Sequence, residues 1–225
     1  MTAFTPDGLY PALTAAARKI CNFVPIPEQG ISPRIHVANV VVGISGASGA
    51  IYGWRLVERL RHQQSVEIHL VLSRAGEKTL FLETGKAAAD IRGMAHYWYA
   101  EEDIGCRLAS GSYQTHGMII APCSINTMSS IAHGISSNLL VRAADVILKE
   151  KRKLVLMVRE SPFHLGHLKS MTLLAEMGAI IAPPIPGFYH NPQTVMDLVD
   201  HSVDRALDLI GLPDQTIRRW DGPDK

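Results

Sequence analysis

Five apolar blocks punctuate the chain, each closed by a small or turn-forming residue. The first, VANVVVGI from Val37, is continuous rather than alternating, and the turn SGASG follows it. Trp54, Leu56, Val57 and Leu60 then recur at helical spacing, so the opening unit is β-loop-α. VEIHLVLS (66–73), MIIAP (118–122), LVLMV (154–158) and AIIAP (179–183) supply four more strands, with helical patterns between them. Strands apolar on both sides must be covered on both faces, which predicts an α/β fold. The expected architecture is a three-layer, doubly wound, mostly parallel sheet.

Residues 1–34 break this texture with Pro6, Pro11, Pro25, Pro27 and Pro33, and read as an N-terminal arm with one short helix around Leu13 to Cys21. Residues 35–225 form the main domain. In doubly wound sheets ligands gather beyond the carboxyl ends of the strands. The loops to watch are therefore SGASG, Ser73-Arg74, PCSINT, RESP and PPIPGFYHNP.

Composition narrows the function classes. The chain has 225 residues, 47% hydrophobic and 19% charged, which supports one packed core. Lysine plus arginine number 22 against 21 acidic residues, a net charge of +1, so no global field favours nucleic acid or an anionic membrane. An anion site must be local. Three cysteines without a CxxC pair argue against a disulfide framework or structural zinc. No long apolar run and no secretory start are present, so a cytoplasmic protein away from membranes is expected.

Gly43, Gly46 and Gly49 are spaced GxxGxxG, which matches neither a dinucleotide fingerprint, a P-loop nor a GxSxG elbow. Small residues there let backbone N–H groups at a helix start approach an anion or a flat ring, with Ser45 and Ser48 as hydroxyl donors. Ser124, Asn126 and Thr127 repeat the motif after the third strand, and Ser73 ends the second. Helix capping explains each singly. Arg159 and Glu160 sit at the ligand edge, before Ser161 and Pro162 as expected N-cap and first helical residue. Arg142 and Lys149 share a helix side with Asp145 and Glu150 as partners. Tyr189 lies in a rigid loop, and Glu83 by itself reads as a helix-end acid. His164 and His167 are three apart, but without a carboxylate or cysteine companion no metal is expected.

Taken together, GISGASGAIYG, SRAGEKTLFLET, ASGSYQTHGMIIAPCSINT, NLLVRAADVILKE, LVLMVRESPFHLGHL and PPIPGFYHNP resemble the flavin prenyltransferases of the UbiX family, a group that also carries the name of the phenolic-acid decarboxylases. The resemblance runs from about Val37 to Trp220. It implies a Rossmann-like or flavodoxin-like homo-oligomer, commonly a dodecamer, that alkylates reduced FMN with a dimethylallyl group from dimethylallyl phosphate. Bonds form at flavin N5 and then C6, and the prenylated FMN serves a UbiD-type decarboxylase.

By the same resemblance Gly46, Ala47, Ser48, Ser73, Ser124, Ile125, Asn126, Thr127 and Arg159 contact FMN. Lys149, Tyr189 and Arg205 clamp dimethylallyl phosphate, with Arg142 in the same cationic neighbourhood and lent in part by a neighbouring subunit. Glu83, Glu160 and Ser48 handle protons near N5 and the leaving phosphate, and Trp220 closes over the prenyl group. Arg107 departs from the pattern. An extra cation at the pocket rim would suit a diphosphate donor. Two other functions compete: an FMN-dependent oxidative cysteine decarboxylase, and a non-catalytic FMN-carrying subunit of an aromatic-acid decarboxylase.

Overall fold

In the computed structural model, which describes residues 37–213 and 222, the elements follow one another as strand and helix. They are β1 (Ala38–Ile44), α1 (Ala50–Arg61), β2 (Val66–Leu72), α2 (Arg74–Thr84), α3 (Ala88–Met94), β3 (Tyr97–Tyr99), β4 (Gly117–Cys123), α4 (Ile125–Ala132), α5 (Leu139–Lys149), β5 (Lys153–Val158), α6 (Leu165–Glu176), β6 (Ile180–Ile181) and α7 (Val195–Ile210). The expected arm over residues 1–34 and Trp220 lie outside the described residues.

The strands form one sheet in the order β3-β2-β1-β4-β5-β6, and every pair is parallel. The chain winds outward from β1 through β2 to β3, then returns to the other side of β1. Strand order therefore reverses between β1 and β4, the place where a crevice opens in such sheets.

Alternation within buried strands sorts side chains into two cores. Val40, Val42 and Ile44 of β1 pack with Leu56 and Leu60 of α1 and Val203 and Leu207 of α7. Val41 faces the opposite side, among Met128 of α4, Leu140 and Ile147 of α5, and Leu174 of α6. This is the three-layer arrangement that the apolar strands required. Close layering also explains Gly53 on α1, where a Cβ would stand 2.3 Å from the Ala121 carbonyl oxygen.

Three features depart from the sequence expectations. The edge strand β3 and helix α3 had no periodic signal, because three and seven residues are too few to establish one. The fifth expected strand contracts to Ile180–Ile181 at the other edge. Helix α6 starts at Leu165 and not at Pro162. His164 caps it, its Nδ1 accepting from the backbone N–H groups of Gly166 and His167, so Ser161 is not the cap.

Candidate active site

The loops after β1 and β4 flank the reversal in strand order, and Ser45 joins them. Its hydroxyl donates to the Pro122 carbonyl at 2.7 Å and accepts from the Ser124 backbone N–H at 2.7 Å. Ser45 is 1% exposed, so it fixes the crevice floor and is not a donor to a ligand, as its place in the sequence had suggested. Gly46 lies against α2, where a Cβ would come 2.5 Å from that of Ala75. Any larger residue would wedge the first loop away from the second strand's loop.

An anion does sit at the start of α1, and the protein supplies it. The Glu83 carboxylate, on the last turn of α2, accepts from the N–H groups of Gly49 at 2.9 Å and Ala50 at 2.9 Å. Burial pulls its pKa upward, but hydrogen bonds from Ser48, Ala50 and Gly49 and the charge of Arg159 outweigh this and hold it below the ordinary value. Helix-start N–H groups favour the ionised form for the same reason that they bind phosphates. Glu83 is thus no isolated helix-end acid.

Ser73 and Ser124 open α2 and α4 as N-caps. Ser73 accepts from Gly76 N–H, while the Ser124 hydroxyl accepts from Thr127 N–H and donates to the Thr127 hydroxyl at 3.0 Å. These hydroxyls shape helix ends first. Asn126 is exposed beside them, and Ala47 is half-buried in the first loop. A cleft of about 660 Å³ opens between α4 and α6, lined by Ile125, Asn126, Ser129, His133, His164 and His167. Its size suits a small-molecule ligand. The histidines come from separate elements, so nothing in the sequence ties His133 to the pair, whose rings lie 3.4 Å apart.

Arg159 and Glu160 follow β5 and are both exposed. Arg159 is near enough to Glu83 and to Tyr52 for its charge to act on each. One Glu160 oxygen accepts from Ser161 N–H at 2.9 Å. Ser48, Glu83 and Arg159 thereby converge on one edge of the crevice.

A second cluster forms where the loop after β6 meets α7. The Tyr189 hydroxyl lies 2.8 Å from His201 Nε2, and His201 stacks on His190 with centroids 4.3 Å apart. Arg205, one turn further along α7, shares with His201 the lining of a small cavity of about 80 Å³. The loop composition singled out Tyr189 and the resemblance added Arg205, but neither pointed to His201, twelve residues from its phenol partner.

Lys149 is elsewhere. Helix α5 begins beside Glu101, near the carboxyl ends of the strands, and ends where β5 starts, so Lys149 sits at the opposite, amino end of the strands, paired with Glu150 against Gly111. Arg142 lies near the other end of α5 and pairs with Asp145 at 2.6 Å. One chain does not bring Lys149 to Tyr189 and Arg205. Arg107, expected at a pocket rim, instead lies over the rings of Tyr97 and Tyr113 at 4.9 and 5.4 Å. There it borders buried His69, whose pKa burial, with the charges of Arg107 and His96, pushes down to about 3.

Comparison with known proteins places these features in a family. The flavoprotein family model matches residues 32–206. The chain is 51% identical over 185 residues to the flavin prenyltransferase UbiX of Escherichia coli K12, covering 81% of this chain and 98% of that one. Among solved structures, a dodecameric FMN-dependent UbiX-like decarboxylase from E. coli O157:H7 superposes with a TM-score of 0.80 at 44% identity, covering 82% of this chain and 100% of that one. AnUbiX (PadA1), solved in complex with FMN and dimethylallyl pyrophosphate, gives 0.81 at 39% identity over 84% and 100%.

Proposed function

From the membership of this chain in the UbiX family of flavin prenyltransferases we infer that it is an enzyme that transfers a dimethylallyl group to reduced FMN. Identity of 51% across nearly the whole length of a curated prenyltransferase carries this reading. The oxidative cysteine decarboxylase and the passive flavin carrier lack comparable support. The chain works as a homo-oligomer, and its product suits a separate decarboxylase of the UbiD type. A cytoplasmic setting fits the absence, among the described residues, of any helix long and apolar enough to cross a membrane.

The residues present suit a flavin mononucleotide. Two serine-capped helix starts and Arg159 offer donors and positive charge along the crevice, and the glycine at position 46 permits close backbone approach. Gly46, Ala47, Ser48, Ser73, Ser124, Ile125, Asn126, Thr127 and Arg159 would hold it. Bound reduced FMN supplies the nucleophilic N5 and C6 positions. The protein's task is to bind both partners, orient them and move protons.

Breaking the allylic C–O bond places negative charge on the leaving phosphate and positive charge on the five-carbon fragment. Tyr189 and Arg205 grip the phosphate, joined by Arg142 and Lys149 from a neighbouring copy. Trp220 shields the prenyl group from water. Glu160 is assigned the proton transfer on geometry, since its second oxygen has no partner among the described residues and is open to the crevice edge. Glu83, with its carboxylate bound to two backbone N–H groups, instead orients Ser48 and the first loop.

The deciding experiment is anaerobic incubation with reduced FMN and either dimethylallyl phosphate or dimethylallyl diphosphate, followed by mass measurement of the released flavin. Gain of one five-carbon unit with at least one donor is expected. Recovery of unmodified FMN with both donors refutes the reading.

A further inference from the structure

His201 belongs to none of the roles described so far, yet it touches the hydroxyl of Tyr189 and lines the same small cavity as Arg205. The imidazole is held from two sides. Its ring stacks on His190, inclined by only 10°, and meets Tyr189 edge-on at 5.4 Å between centroids. A phenol carries one proton. If His201 accepted that proton, Tyr189 would turn lone pairs toward an incoming anion and repel it. With Nε2–H as the donor, the phenol oxygen is satisfied and its proton points outward.

We propose that His201 is a positioning residue of the donor site: its Nε2–H donates to the Tyr189 oxygen and directs the phenol proton at the phosphate of the prenyl donor beside Arg205. The inference rests on the reading of Tyr189 and Arg205 as that phosphate site.

The surroundings set how proton uptake enters. The groups facing His201 are Tyr189 and His190 from the loop and Arg205 from its own helix. Met157 of β5 and residues 182–185 bring nothing that titrates. Asp197, one turn earlier, is engaged with the N–H groups of Gln193 and Thr194 and caps α7. Burial first, then the charges of His190 and Arg205, lower the His201 pKa from 6.5, so charging the ring is disfavoured in the absence of an anion. A phosphate in the cavity reverses the balance of charge and favours imidazolium, in which Nε2 is always a donor. Donor binding should therefore tighten on acidification by more than the phosphate's own titration gives.

Two variants test this in the full FMN-loaded protein, by calorimetric titration with dimethylallyl phosphate and by steady-state kinetics between about pH 5.5 and about pH 8. His201→Phe keeps a ring to stack on His190 but loses the donor. Its Kd and KM should rise about fivefold to tenfold while kcat stays within about twofold. His201→Gln keeps an N–H donor that does not titrate. It should recover most of the affinity and lose the extra tightening at low pH. Unchanged Kd in His201→Phe, or equal pH dependence in wild type and His201→Gln, overturns the proposal. If His201→Phe melts early, the slope of His201→Gln against pH decides alone. Wild type that neither binds nor turns over the donor brings down the reading of the whole site, an outcome distinct from wild type that works and variants that match it.

Discussion

One hydroxyl, that of Ser45, fastens the two loops beside the reversal in strand order, and its removal leaves the Ser124 N–H and the Pro122 carbonyl without that partner. Ser45→Ala should cost about 1–3 kcal/mol, read as a lower urea midpoint with an unchanged slope. Glu83 has a pH signature. Its folded pKa lies below the ordinary 4.5, so its contribution is complete above that pH and is lost as pH falls through the folded value. Glu83→Gln should therefore melt lower than wild type at neutral pH, and the gap should narrow in acid. Glu160→Gln is expected to retain FMN while prenyl transfer slows by about a hundredfold or more in single-turnover assays. Normal turnover in that variant removes Glu160 from proton transfer.

Helix α1 illustrates what element packing demands. It lies so close to the sheet that Gly53→Ala would drive a methyl into the Ala121 carbonyl and the Ile44 side chain, within 2.3 and 2.6 Å. A loss of about 1–3 kcal/mol in denaturant unfolding is expected, with activity reduced because the first loop moves with the helix. The four central strands were legible because each is buried on both faces and reads as an apolar run. Edge strand β3 is short and half-covered, so periodicity has little to act on, whereas β6 was read from its apolar run and proved shorter than that run. The start of α6 escaped for another reason: an imidazole does the work usually given to serine.

For the whole molecule, the distribution of cations matters most. Lys149 and Arg205 lie at different parts of the fold, so a phosphate site using both needs two copies of the chain. Phe81, Leu82, Leu165, Ile185 and Phe188 are each at least 60% exposed, an amount of apolar surface suited to burial between copies. Lys149→Ala and Arg205→Ala should each be nearly inactive alone. Co-expressed, they should form mixed oligomers with partial activity, because some sites then draw both residues from intact copies. Activity in the mixture no greater than in either variant would show that no site draws the two residues from different copies.

The order of strands and helices, the covered sheet and the loops that bear chemistry follow from the sequence, because burial imposes a local period that neighbouring residues share. Tertiary structure alone decided that the Ser45 hydroxyl is consumed in joining two loops. It also decided that Glu83 is the anion at the start of α1, that His201 stands beside Tyr189, and that Lys149 lies at the other end of the strands. Those relations join residues distant in sequence, and hydrogen bonds across such distances leave no periodic trace in the chain.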